Sequence, residues 1–256
     1  MKTISICIPT HEMGGLGHTF LRKSFEKLKT QTFKEFDIVV SDHSKNDDIK
    51  KLCEEYADKF DVHYFRNTEG VGSSSININN AIKHASGKLI KILFMDDFLF
   101  SDTALQEIVD NFDMEKDHWM ITACEHSNDG VTYYRPFYPK YNNKIFLGRN
   151  TISSPSVITI KNDNPLFFDE KLVWLMDVEY YKRCYDTFGK PKILDIITVV
   201  NGTGDHQGIG GYKSRNKKST NKLKWSEYLY VLGKYEKGFN YYYYKFTGFI
   251  KALIKN

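Results

Sequence analysis

The apolar positions of this chain switch repeatedly between two periods. Residues Thr3 to Ile8 form a β-rich run that Pro9 ends, and a glycine-bearing turn follows at Gly14, Gly15 and Gly17. Leu21, Phe25 and Leu28 then recur at i, i+4 and i+7, the stripe of an amphipathic helix. Phe36 to Val40 reads as a second strand. Residues 47–60 read as a second helix, with Ile49, Leu52, Cys53 and Tyr56 on one face. Val62 to Phe65 makes a third strand. Residues 76–84 make a third helix, with Ile78, Ala81, Ile82 and Ala85 inward, Asn77 as a candidate cap and Gly87 as its stop. Leu89 to Phe94 is a fourth strand, and it runs into Met95, Asp96 and Asp97. Beyond residue 110 the pattern is less regular.

Strand and helix alternating three times before a closing strand predict an α/β fold. Its central sheet should be mostly parallel, with helices on both faces. Such sheets bind ligands beyond the carboxyl ends of their strands. Pro9-Thr10, Asp42 and Asp96-Asp97 all stand at such ends, on three different strands, and are expected to converge on one edge. The five glycines between Gly202 and Gly211 predict a loop.

Composition narrows the class. At 256 residues, 41% hydrophobic and 27% charged, the chain is an ordinary globular protein in make-up. It has no apolar run long enough to span a bilayer. It opens on a strand-like run with no basic segment before it, so no signal peptide is expected. Cys7, Cys53, Cys124 and Cys184 are widely spaced and form no CxxC pair, which points to reduced thiols and a cytoplasmic setting. The charge is unevenly distributed. Residues 212–256 hold eleven Lys/Arg against two Glu, a net of +9. The whole chain carries +4, so the remainder is acidic at −5.

Two adjacent carboxylates at a strand end repel each other unless a cation or donor groups offset them. Hard divalent ions take oxygen ligands, commonly one or two carboxylates plus substrate phosphates. Asp96-Asp97 therefore reads either as a metal bridge to a diphosphate or as an ordinary strand-end turn. Ser101-Asp102 is the better cap for the helix that follows. Asp42 can accept from a base or a ribose hydroxyl, or can close an Asx-turn. Asn79 and Asn80, poor helix formers, either face a nucleotide or are solvated.

The ordered segments PTHE (9–12), VVSDHSKND (39–47), NINNAIKHASGKLIKILFMDDFLFSD (77–102), SSPSVITIK (153–161) and FFDEKLVWLMDVEYYKRC (167–184) resemble family 2 glycosyltransferases. The resemblance covers about residues 1–210. It implies a GT-A-type Rossmann-like sandwich, with a nucleotide-binding half over about 1–100 and an acceptor half over about 101–211. A basic, aromatic C-terminal helical tail over 212–256 would follow. It implies inverting transfer from a nucleotide-diphospho-sugar, a UDP-sugar being favoured, to a glycan or lipid-linked acceptor. Pro9, Thr10, Glu12, Asp42, Asn77 and Asp96 would hold the donor, Asp42 at the base. Asp97 would be the ligand nearest a Mn²⁺ or Mg²⁺ ion, and Asp177 the catalytic base, with Glu179 the weaker alternative. The chain departs from the family pattern in three places. The metal motif reads Met95-Asp96-Asp97, His43 replaces an Asp after strand two, and Met176 stands where a Glu usually precedes the base. His206, in the glycine-rich loop, would complete the metal site or close over the diphosphate, with Lys213 and Arg215 near the phosphates.

Rival readings follow from single features. The stretch 14–19 is similar to the glycine loop of sugar nucleotidyltransferases, but it starts late and lacks the following Arg. It also fails as a dinucleotide loop, because Phe20 stands at the third glycine position. A non-catalytic nucleotide- or glycan-binding relic of the fold is the other alternative. The acidic body argues against nucleic acid. The basic tail mixes Tyr241 to Tyr244, Phe246 and Phe249 with lysines. That composition suits a helix at the inner membrane surface, packing on the body, or a contact between two copies of the chain.

Overall fold

The computed structural model describes residues 2–204 and 217–254. An eight-stranded sheet in the order β3-β2-β1-β4-β7-β6-β8-β5 forms the frame. Strands β1 (Ile4–Thr10), β2 (Phe36–Asp42), β3 (Val62–Arg66) and β4 (Leu89–Ile92) are mutually parallel. They are connected by α1 (Gly17–Lys29), α2 (Asp48–Glu55) and α3 (Ser74–Lys83). β1, β2 and β4 are buried along their whole length, which is why they are rich in Ile, Val and Leu on both faces, with Ser5, Asp37 and Lys91 as buried polar exceptions. The chain steps outward from β1 through β2 to β3, then returns through α3 to β4 beside β1. Right-handed crossovers therefore set α1 and α2 on one face and α3 on the other.

The second half is mixed, where the sequence pattern was less regular. After β5 (Phe98–Leu99) and α4 (Ala104–Asn111) come β6 (Trp119–Ser127) and β7 (Ile158–Lys161), with β7 antiparallel to both β4 and β6. α5 (Met176–Phe188) leads to β8 (Lys192–Gly202), parallel to β6, and β5 pairs antiparallel with β8. Two further helices, α6 (Lys217–Tyr235) and α7 (Gly238–Ile254), complete the described chain. Val231 and Leu232 of α6 are buried in the same core as β1 and β4. All four cysteines are buried and unpaired. No helix of the described residues is long and apolar enough to cross a membrane.

Several local expectations are corrected. Asn77 does not cap α3. Ser73 does, accepting from the Ile76 amide at 3.3 Å. Asn79 neither faces a nucleotide nor is solvated: it is buried, donates to Phe168 O at 2.9 Å and accepts from Phe168 N at 2.7 Å. Asn80 donates to Ser41 Oγ at 2.9 Å. The Ser101-Asp102 pair does not cap α4. Asp102 accepts from Thr30 at the end of α1 instead. The amide of Leu105 finds Gln31 Oε1 at 3.0 Å, so a neighbouring element supplies the cap.

Candidate active site

The sheet order reverses between β1 and β4, and α/β sheets open a crevice at that point. Pro9-Thr10 ends β1, and the turn after β4 carries Asp96 and Asp97 beside it. The turn after β1 is tight. Gly14 and Gly15 have φ of +65° and +93°. A Cβ on Gly17 would stand 2.1 Å from His11 O. Only glycine lets α1 begin this close to the strand end. Glu12 binds this turn to the next one, its Oε2 accepting from the Lys45 amide at 2.8 Å.

The β2 end is a closed polar knot. Asp42 is fully buried. Its Oδ1 accepts from Thr10 Oγ1 at 3.2 Å and from Ser44 N at 2.9 Å, and its Oδ2 from Tyr64 OH at 2.7 Å. Arg66 lies 3.8 Å away as the counter-charge. The Ser44 contact is the Asx-turn that the sequence left open. Asn77 crosslinks the knot, donating to Thr10 O at 2.9 Å and accepting from Ser41 Oγ at 2.7 Å. Pro9, Thr10, Asp42 and Asn77 are thus brought together at one strand edge, with Asp42 saturated by protein donors. His43 is buried and its Nε2 donates to Glu69 O at 3.0 Å; burial pushes its pKa down.

The β4 end is different. Burial raises the pKa of both Asp96 and Asp97, and for Asp96 the neighbouring carboxylate adds to it. Asp97 is buried. Its Oδ1 accepts from Gly202 N at 2.8 Å, and Ser154 Oγ lies 3.0 Å from its Oδ2. Lys91, fully buried on β4, donates to the carbonyls of Ser156 and Ile158. Burial pushes its pKa down to about 7, against the pull of Asp97. Asp96 is half-buried, and among the described residues its carboxylate accepts no hydrogen bond from another residue. A carboxylate with open lone pairs beside a second one fits a hard divalent cation, whose remaining positions water and phosphate can fill. The described residues hold no cluster of three or more His, Cys, Asp and Glu around a common point. His206, Lys213 and Arg215 lie outside the described residues.

Asp177 sits in the first turn of α5. Its Oδ1 accepts from the Val178 amide at 2.7 Å and its Oδ2 from Asn150 Nδ2 at 2.6 Å. Burial pushes its pKa up to about 6, these hydrogen bonds pulling the other way. Glu179, the weaker alternative base, has its carboxylate engaged elsewhere. It is fully buried, binds Arg183 Nε at 2.8 Å and Lys234 Nζ at 2.5 Å, and accepts from Tyr235 OH at 3.0 Å.

Two adjacent serines join the two acidic centres. Ser154 reaches Asp97, while Ser153 O accepts from Asn150 Nδ2 at 2.8 Å and from Tyr181 OH at 2.8 Å. Ser153 holds φ at +98°, an uncommon conformation for a residue with a side chain. Its Oγ accepts from Asn201 Nδ2 at 2.7 Å. From α6, Glu227 enters the same region. Its buried carboxylate accepts from the successive amides of Val173, Trp174 and Leu175 at 3.0, 2.8 and 2.9 Å. These are the residues that lead into α5, so Glu227 sets the turn on which Asp177 is presented. Sequence reasoning missed Asn150, Ser153, Ser154, Asn201 and Glu227 as site residues. Only the SSPS segment carried any signal.

Comparison with known proteins identifies the family and the fold. The profile described as Glycosyl transferase family 2 matches residues 5–171. The GalNAc(5)-diNAcBac-PP-undecaprenol beta-1,3-glucosyltransferase of Campylobacter jejuni is 30% identical over 102 residues. That match spans 40% of this chain and 32% of the relative, so the chain spans about a third of that protein's length. The structure of S. aureus TarS 1–349 in complex with UDP-GlcNAc superposes with a TM-score of 0.68 at 16% identity, over 91% of this chain and 66% of that one. A mannosyltransferase from Pyrobaculum calidifontis, in complex with GDP-Man and Mn²⁺, superposes with a TM-score of 0.61 at 12% identity, over 98% and 70%. These neighbours share the expected GT-A sandwich. With more than half of its length matched by the family profile and its strand-end carboxylates set at the switch point of that sheet, the chain belongs to glycosyl transferase family 2.

Proposed function

We propose that this protein transfers a sugar, with inversion, from a nucleotide-diphospho-sugar to a hydroxyl of a glycan or lipid-linked acceptor. A UDP-sugar is the favoured donor. The observation that carries the proposal is the Asp97–Ser154, Ser153–Asn150–Asp177 path, which ties a leaving-group centre to a base centre through neighbouring backbone. The relatives support it. The Campylobacter protein is named for a lipid-linked saccharide, TarS was captured with UDP-GlcNAc, and the Pyrobaculum enzyme with GDP-Man and Mn²⁺.

In this reading Asp177 takes the proton of the acceptor hydroxyl as its oxygen bonds to the anomeric carbon. The bond from that carbon to the diphosphate oxygen breaks, and the nucleoside diphosphate leaves with the electron pair. The raised pKa of Asp177 makes it a stronger base than an ordinary carboxylate. A Mn²⁺ or Mg²⁺ ion held by Asp96 and Asp97 would neutralise charge growing on the departing diphosphate. Asp42, Thr10, Asn77, Pro9 and Glu12 form the wall against which the base and ribose lie. The transferase unit takes in α6 as well as residues 1–211, since Glu227 seats the turn before Asp177 and Val231 and Leu232 lie in the core, which leaves α7 as the appended element.

The test is a thermal-shift panel of UDP, GDP, dTDP and CDP, each with and without Mn²⁺, on the wild type and on Asp96→Asn/Asp97→Asn. Metal-dependent stabilisation by one nucleotide, lost in the double variant, is the expected result. No stabilisation by any nucleotide would sink the reading.

A further inference from the structure

α7 turns its apolar side outward. Phe239, Tyr242, Tyr243, Phe246, Phe249 and Ile250 are all exposed, Phe239 by 82% and Phe246 by 65%. Their spacing of three and four residues puts them on a single helical face. The opposite face is committed to α6. Tyr241 and Tyr244 are partly buried against the core, and Tyr228 of α6 donates to Tyr244 O at 2.8 Å. At Gly248 a Cβ would stand 2.7 Å from the Tyr228 ring, so the two helices touch there without room for a side chain. The helix is thus held with its apolar stripe away from the protein, a patch of the kind that marks an interaction surface.

We propose that this face of α7 docks the protein on an anionic lipid bilayer. Aromatic rings with polar tips suit the headgroup boundary, and Lys237 and Lys245 stand exposed beside the stripe. Residues 237–256 contain four lysines and no acidic residue. Pairing two copies of this face would bring like charges together, whereas anionic headgroups neutralise them. At 17 residues the helix is about 25 Å long. It is not apolar enough to cross the membrane, so it lies on the surface. The orientation has a consequence for the active site. Glu227 and Tyr228 are adjacent on α6: one seats the turn before Asp177, the other holds α7. The bilayer is therefore one helix away from the proposed base, where a lipid-borne acceptor would arrive. That last step rests on the proposed transfer; membrane docking itself does not.

The test compares full-length wild type, Phe239→Ser/Tyr242→Ser/Phe246→Ser and Lys237→Glu/Lys245→Glu. Each is sedimented with vesicles of phosphatidylglycerol mixed into phosphatidylcholine, and with phosphatidylcholine alone. The wild type should sediment with the anionic vesicles, the triple variant should lose about tenfold or more in binding, and the charge variant should lose the preference for phosphatidylglycerol. Because these side chains are exposed, melting temperature and nucleotide-dependent stabilisation should be unchanged in the variants, which separates lost docking from lost folding. Wild type left in the supernatant with every vesicle, or a triple variant that binds like wild type, would overturn the proposal. So would a wild-type dimer in velocity sedimentation that the triple variant dissolves while neither binds vesicles. Vesicle binding by a protein that transfers no sugar would leave docking intact and remove the proposed function instead.

Discussion

The ends of β2 and β4 share one edge of one sheet and treat their carboxylates in opposite ways. At β2, Asp42 is buried with both oxygens answered by Thr10, Ser44 and Tyr64, and Arg66 stands close as counter-charge. At β4, Asp96 and Asp97 are neighbours pushed toward protonation; Asp97 accepts from Gly202 N and Ser154 Oγ, while Asp96 accepts from no other described residue. A saturated carboxylate braces the backbone of a binding wall. A pair left short of positive charge holds free energy that a cation and a phosphate can recover. Asp42 is thus saturated by protein donors where Asp96 keeps open lone pairs, and that openness is what the proposed metal site rests on.

The largest effect should come from the third carboxylate. Asp177→Asn keeps the shape and removes the base, and should lower kcat by about 10²- to 10⁴-fold in a transfer assay with little change in donor binding. A loss within a few-fold would remove Asp177 from the mechanism. The same variant should also flatten the fall in stability that the wild type shows between the ordinary carboxylate range and neutral pH. A carboxyl whose folded pKa is raised contributes stability that is fully present below its unfolded pKa and is lost as pH rises through the folded value of about 6.

Next in size is the β4 pair itself. Asp96→Asn/Asp97→Asn should abolish metal-dependent nucleotide binding while stabilising the metal-free protein. Both pKa values are raised, so wild-type stability in a chelator should decline as the pH climbs from the ordinary carboxylate range toward neutrality, and the variant should flatten that slope. A steeper slope in the variant would break the contrast drawn above.

Asp42→Asn probes the opposite pole. It weakens a satisfied buried network and should cost about 1–3 kcal/mol in urea unfolding. Metal dependence of nucleotide binding should survive, and its loss would merge the two sites into one. Glu227→Gln should be milder, since the amide oxygen still accepts from the 173–175 turn. A fall of about tenfold in kcat with donor KM unchanged would mark Glu227 as a positioning residue. The smallest effect is the pH profile of the wild type. Its acidic limb should rise with an apparent pKa of about 6, since Asp177 must be ionised to accept a proton. Glu227 adds negative charge near Asp177, so Glu227→Gln should move that limb slightly to lower pH. An unmoved or upward-shifted limb would deny the coupling.

Much of the frame was legible along the chain. The switch between helical and extended periods, the buried runs of β1, β2 and β4, and the strand-end positions of Thr10, Asp42 and Asp96-Asp97 are local properties. Each depends on neighbours within a turn or a strand, so periodicity and burial pattern determine it. The site's finer construction was decided by tertiary structure. Ser154 meets Asp97 across 57 residues, Asn150 meets Asp177 across 27, and Glu227 meets Leu175 across 52. Gln31 caps α4 from 74 residues away, displacing the local Ser101-Asp102 that the sequence favoured. A serine or asparagine looks the same in a string whether it is solvated or aimed at a buried carboxylate. Only the register of β4, β7 and β8 brings the two groups within hydrogen-bonding reach. Likewise the aromatic run of α7 promised an apolar surface. Which side of that helix stays exposed was set by the close approach of Tyr228 to Gly248, a contact between two helices that no single period encodes.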